Sequence, residues 1–139
     1  MTNLPIYILD AFAFMAYIQG EPAAESVKKV LSDANENKCH VSMSIINIGE
    51  VLYNIERNKG LDSAQDILSL IQTLPIEILP ADNETVFAAA HIKANHLLSY
   101  ADAFVVVAAQ KINGIIMTGD PEFEAVAELA QIEWLKKRS

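Results

Sequence analysis

The stretch "IIMTGDPEF", residues 115–123, decides how this chain is read. Ile115-Ile116-Met117 is an apolar run of strand length. Thr118-Gly119 interrupts it, and Asp120-Pro121 has the form of a helix start, an N-cap acid ahead of proline at the first helical position. A strand hands over to a helix, and a carboxylate stands at the junction. The other end of the chain repeats the arrangement. Ile6-Tyr7-Ile8-Leu9 is a short apolar run stopped by Asp10, and Ala11 to Ile18 then reads as a helix ended by Gly20.

Between these two units the same alternation continues. Pro22 opens a helix with Ala23, Val27, Val30 and Leu31 on one face, broken over residues 35–38. His40 to Met43 reads as a second strand. Ser44 can cap a helix with an apolar stripe of Ile45, Ile48, Val51, Leu52 and Ile55, ended by Asn58-Lys59-Gly60. Ser63-Ala64-Gln65-Asp66 has capping-box form and predicts a helix through Leu70, closed by Leu74-Pro75. Ile76 to Leu79 is a third strand, and Asp82 can cap a helix running to about His96. Ser99-Tyr100-Ala101-Asp102 is a second capping-box form before a helix over Phe104 to Lys111, ended by Gly114. Ile115 to Met117 is the fourth strand. Pro121 to Leu129 is predicted as the last helix, and Ile132 to Leu135 as a fifth strand. Short apolar strands alternating with helices, without hairpin turns, predict a parallel sheet covered by helices on both faces. No repeat or linker interrupts residues 1–139, which predicts one domain.

Composition narrows the function classes. The 139 residues are 52% hydrophobic, with five glycines and five prolines, a composition for a packed core and not for a disordered chain. No apolar run approaches the roughly 20 residues of a membrane helix, and the N-terminus lacks the basic start of a signal peptide. Cys39 is the single cysteine, so no internal disulfide forms, and a cytoplasmic location is expected. The formal net charge of −8 argues against a broad phosphate-binding surface. Basic residues cluster only at Lys28-Lys29, at Arg57 with Lys59, and at Lys136-Lys137-Arg138. His40, His91 and His96 are scattered, and no grouped glycines form a phosphate loop. Phe12, Phe14 and Tyr17, at helical spacing, read as core or dimer contacts.

Four acids hold the interest. In an open parallel sheet, ligands bind beyond the carboxyl ends of the strands. Asp10 ends the first strand and Asp120 follows the fourth. Glu50 lies in the second turn of the helix after the second strand, and Asp102 in the first turn of the helix leading to the fourth. If strands one and four are neighbours where the strand order reverses, these side chains meet. Like charges at about 4 Å repel by roughly 4 kcal/mol at an effective dielectric of about 20, so such a group needs protons or a cation. Oxygen ligands without a Cys/His cluster point to Mg²⁺ or Mn²⁺, and such ions serve phosphodiester cleavage. Each acid also has a plain reading: Asp10 and Asp120 as helix caps, Asp102 as capping-box partner of Ser99, and Glu50 on a solvated polar stripe with Asn47, Asn54 and Arg57. Capping and metal binding are compatible.

With these residues in place, the chain resembles the PIN-domain family, in particular the VapC-like toxins of bacterial toxin–antitoxin pairs. The matching stretches are "YILDAFAFMAYIQGEP" at 7–22, "SIINIGEVLYNI" at 44–55, "YADAFVVVAAQ" at 100–110 and "IIMTGDPEF" at 115–123. They occur in the family's order across nearly the whole chain, and the last two are the more specific. The resemblance implies a three-layer α/β/α Rossmann-like fold with a parallel sheet of order 3-2-1-4-5. It implies that Asp10, Glu50, Asp102 and Asp120 are metal-binding and catalytic acids, with Thr118 orienting Asp120 or a water. It further implies a Mg²⁺-dependent (or Mn²⁺-dependent) endoribonuclease that hydrolyses RNA by metal-activated water, forms a homodimer and is silenced by a cognate antitoxin. One departure stands out. Such proteins often carry Thr or Ser directly after the first acid, where this chain has Ala11.

Two other classes compete. A PIN-like binding module, catalytically weak or inactive, fits the acidic surface and the missing hydroxyl. A phosphoacceptor receiver domain also has an acidic pocket at the strand ends, but it needs an Asp ending a middle strand and a Lys ending a late one. Here the third strand ends at Leu79-Pro80 and the fourth at Met117-Thr118, with no Lys.

Overall fold

The computed structural model describes residues 3–136. Strands β1 (Ile6–Leu9), β2 (His40–Ser44), β3 (Glu77–Leu79), β4 (Ile115–Thr118) and β5 (Gln131–Trp134) form one sheet in the order β3-β2-β1-β4-β5. Every pairing is parallel. β1 is the central strand, and its Leu9 lies opposite Met117 of β4. The strand order thus reverses between β1 and β4, the adjacency that brings the ends of these strands together.

The two-residue period of a strand sends neighbouring side chains to opposite layers. Ile8 and Ile116 join the cluster formed with α5 (Asn83–Asn95) and α6 (Tyr100–Ile112). Leu9 and Met117 join the cluster formed with α1 (Ala11–Gln19), α2 (Ala24–Asn35), α3 (Ile45–Lys59) and α4 (Leu61–Thr73). Both faces are therefore covered, which is why the strands read as continuous apolar runs. All four of these strand side chains are fully buried, each worth about 1.5–3 kcal/mol on area alone. Cys39 is buried as well, its thiol donating to the Val30 carbonyl.

Four local expectations need correction. Ser63 does not open α4: the helix starts at Leu61, and Gly60, at φ +92°, turns the chain straight from α3 into it. Gly114 does not end α6: Asn113 takes the left-handed cap at φ +54°. Gly114 is needed for a different reason, because a Cβ there would sit 2.7 Å from Ile8 Cδ1 in the adjacent strand. The expected helix from Pro121 to Leu129 is a short 3₁₀ turn, Pro121–Val126. Its buried residues, Phe123 and Val126, are three apart and line up on a three-residue period. Finally, β5 begins at Gln131, one residue before the expected start, and Leu135 follows it, still bonded through its N–H to the Thr118 carbonyl. Of the basic tail, Lys137 and Arg138 lie outside the described residues.

Candidate functional site

At the carboxyl ends of β1 and β4 the backbone leaves the sheet and enters helical turns, and the acids sit at those exits. Asp10 caps α1: its Oδ1 accepts the Ala13 N–H at 2.8 Å. Its other oxygen, Oδ2, accepts a short hydrogen bond from the Thr118 hydroxyl. The same hydroxyl accepts the Asp120 N–H at 2.9 Å, so Thr118 links the two acids across the strand boundary. Asp120 in turn caps the 3₁₀ turn by accepting from Glu122 N–H at 2.9 Å. Asp102 stands in the first turn of α6, with its N–H on the Ser99 hydroxyl at 3.1 Å.

All four acids expected from the sequence line one open cleft of about 290 Å³, together with Ala11, Phe12, Met15, Ser99 and Glu122. Within it, carboxylate oxygens of Asp102, Asp120 and Glu122 lie within 4.8 Å of one another, a set able to hold a metal ion. Asp10 and Glu50 line the same cleft outside that tightest group. Among the described residues, none of the ion pairs found involves these acids.

The electrostatics follow from that crowding. Asp10, 1% exposed, is pushed up to about 7, first by burial and then by the charges of Asp120 and Glu50, against the bonds from Thr118 and Ala13. Asp102 is pushed up to about 8, again first by burial, then by Asp10 and Asp120, with the Ser99 hydroxyl opposing and Glu50 adding to the rise. Glu50 is raised by burial, opposed by the neighbouring Asn47 amide and reinforced by Asp120 and Glu122. One Glu50 oxygen, Oε1, is buried without a hydrogen-bond partner. An unpartnered carboxylate oxygen on a residue that lines the same cleft as other raised carboxyl groups is what a divalent cation with a preference for oxygen ligands would satisfy.

Three contributions escape a reading of the sequence alone. Asn47, placed with Glu50 on a solvated stripe, is fully buried. Its Nδ2 donates to the Ala101 carbonyl at 3.3 Å, tying α3 to the first turn of α6. Its three-residue spacing from Glu50 was the signal available, since such residues share a helix face. Phe12, expected as a core or dimer contact, packs against the core and in addition lines the cleft and rests on Gly119, where a Cβ would meet its ring at 2.4 Å. Glu122, inside the "DPEF" stretch, joins the acidic set. Thr118 lies where expected, and it serves Asp10 as well as Asp120.

A parallel α/β/α sheet with acids gathered at its carboxyl edge, where the strand order reverses, belongs to the class of open α/β folds that bind ligands at that edge. A sequence model described as PIN domain matches residues 7–129. The chain belongs to the PIN domain family. A search of curated proteins finds no match. Among solved structures, it is similar to VapBC2 from Rickettsia felis, described as bound to a DNA fragment from their promoter: TM-score 0.72, 15% identity, covering 94% of this chain and 99% of that one. It is also similar to VapC20 from Mycobacterium tuberculosis, described as a sarcin-ricin loop cleaving toxin: TM-score 0.70, 16% identity, covering 86% and 94%. VapBC-1 from nontypeable Haemophilus influenzae gives a TM-score of 0.68 at 17% identity, covering 93% and 97%. At these identities the likeness is one of fold.

Proposed function

We propose that this protein is a divalent-metal-dependent endoribonuclease, the toxin of a VapBC-type toxin–antitoxin pair. The observation that carries the reading is the cleft itself. Acids from four separate segments converge in it without a basic partner among the described residues, and two are driven to about 7 and about 8. Family membership supports nuclease chemistry, and the fold-level neighbours supply the toxin–antitoxin setting.

In this reading Asp10, Asp102 and Asp120 hold Mg²⁺ or Mn²⁺, and Glu50 holds it directly or through water. The bound cation would supply Lewis-acid chemistry, offsetting phosphodiester charge and acidifying a water. The chain's own residues do the rest. Thr118 fixes the Asp10 and Asp120 carboxylates relative to each other through one hydroxyl. Asn47 anchors the helix that carries Glu50. Phe12 and Met15 form an apolar wall beside the acids. Arg57, exposed and stacked over the Tyr53 ring at 5.3 Å, and Lys59 supply positive charge for RNA outside the cleft. A cognate antitoxin, a homodimeric state and a cytoplasmic location complete the proposal; among the described residues no helix is long and apolar enough to cross a membrane.

The test is direct. Purified protein incubated with structured RNAs should cut with Mg²⁺ or Mn²⁺ and stop with chelator, and Asp102→Asn should abolish cutting while remaining folded. A second reading, a PIN-like binding module without catalysis, is favoured by one observation, the absence of a side-chain hydroxyl at Ala11. Mn²⁺ uptake without cleavage across varied RNAs would select it.

A further inference from the structure

The acids at 102 and 120 come from segments that share no strand pairing, and they repel one another. Something must hold their turns at a fixed spacing. The connection runs through Glu122. The Glu122 N–H donates to Asp120 Oδ1 at 2.9 Å. The Glu122 side chain reaches across and accepts the Ser99 N–H on Oε1 at 2.9 Å. Ser99 Oγ then accepts the Asp102 N–H at 3.1 Å. Three hydrogen bonds thus run from Asp120 through Glu122 and Ser99 to Asp102. Among the described residues, the Ser99–Glu122 bond is the one that joins the two turns.

The base of this chain of bonds is firm on both sides. Glu122 stands between Pro121, whose φ is fixed by its ring, and Phe123, which is fully buried. Ser99 caps α6, a helix buried along most of its length. A side chain bridging these two anchored backbones transmits their positions to the acids.

We infer that Glu122 is a positioning residue: its side chain clasps the first turn of α6 to the turn after β4 and so sets the spacing of Asp102 and Asp120. The functional meaning of the clasp rests on the metal-nuclease reading given above. Glu122 is exposed and one of its oxygens is committed to Ser99, whereas Asp10 and Asp102 are buried and Asp120 and Glu50 half-buried.

Two substitutions isolate the bond. Glu122→Gln and Glu122→Ala both remove the charge, but only Gln keeps an oxygen that can accept the Ser99 N–H. A difference between them reports the retained side-chain oxygen and not the lost charge, and the Ser99 exchange assigns that oxygen to the clasp. Mn²⁺ affinity is measured by calorimetry on both full-length variants and the wild type, and Ser99 amide hydrogen exchange by NMR on the metal-free proteins. Glu122→Ala should bind Mn²⁺ roughly tenfold more weakly than Glu122→Gln, the usual scale for losing a group that orients a ligand. Ser99 should keep its exchange protection in Glu122→Gln and lose it in Glu122→Ala. Equal Mn²⁺ affinities in the two variants overturn the inference, as does Ser99 protection that survives in Glu122→Ala. Failure of the wild type to bind Mn²⁺ overturns the metal reading itself, and with it the clasp's role, while the Ser99 exchange still reports whether the bond exists.

Discussion

Replacing Asp10 by Asn should make the metal-free protein more stable at alkaline pH, and the size of the effect can be worked out. Asp10 rises from 3.8 to about 7 on folding. Between those values the native state holds a proton that the unfolded state has released. Stability therefore falls as pH rises through that window, and the destabilisation is complete above about 7. The shift corresponds to about 4 kcal/mol at 1.36 kcal/mol per unit. Asp102, raised to about 8 in part by Asp10, extends the fall further. Asn at position 10 stays neutral throughout. It keeps an oxygen for the Ala13 N–H but leaves the Thr118 hydroxyl without its acceptor, a loss of about 1–2 kcal/mol. The net gain at pH 8.5 should be about 2 kcal/mol. Urea unfolding in chelator at pH 5.5 and 8.5 measures it. Adding Mn²⁺ at about a hundredfold its dissociation constant should then stabilise the wild type by about 2.7 kcal/mol and the variant much less. Wild-type stability that is flat between the two pH values, or an Asn variant weaker than the wild type at pH 8.5 without metal, refutes the reasoning.

Three further outcomes are expected. Gly119→Ala drives a methyl group to within 2.4 Å of the Phe12 ring; it should cost about 1–3 kcal/mol by overpacking, read by thermal melting, with Phe12→Ala in the same chain restoring most of the loss. Thr118→Val removes the hydroxyl shared by Asp10 and Asp120, so Asp10 should rise further, the pH profile of RNA cleavage should move to higher pH, and Mn²⁺ affinity should fall; an unmoved profile counts against the shared hydroxyl. Asn47→Leu keeps the branched shape of a fully buried side chain but removes its Nδ2 bond to the Ala101 carbonyl, which ties α3 to α6; it should cost about 1 kcal/mol and weaken metal binding, and full Mn²⁺ affinity in that variant would restrict Asn47 to packing.

The fold was legible because β1 and β4 are apolar runs packed between two helical layers and most helices begin on Asp or Ser and several end on Gly or Asn, residues with recognisable cap chemistry. Ile6 to Leu9 and Ile115 to Met117 are short apolar runs each followed by a polar residue, and both are strands that deliver their chain to the same edge. Three features were not legible, for physical reasons. Ser63 has capping-box form, but Gly60 can adopt a positive φ and starts the helix earlier. Phe123 and Val126 are three apart, a spacing common to α and 3₁₀ turns, so the shorter turn could not be told from a helix. Asn47 shares a stripe with exposed Arg57 on α3, and only the approach of α6 buries one end of that stripe and leaves the other in water.

The same geometry shows which of the acids cap a helical turn, a role compatible with holding a metal. Asp10 caps α1, Asp120 caps the 3₁₀ turn, and Asp102 lies in the first turn of α6 behind the Ser99 cap. α3 also begins at this edge, with Glu50 in its second turn. A helix that follows a parallel strand starts at the carboxyl end of the sheet, as α1 and α3 do, and α6 starts there too, so free N–H groups and the positive ends of these helix dipoles collect there. Capping then makes the crowd more tolerable before any cation arrives, because the Asp10 and Asp120 carboxylates each accept an N–H from their own helical start. The offset is incomplete, as the values of about 7 and about 8 at Asp10 and Asp102 record. Burial first, and the neighbouring charges after it, keep both groups raised, and a bound divalent ion would offset both effects. A cap that fully neutralised its acid would leave the ion little to gain, and a cluster without caps would stay protonated or spread apart.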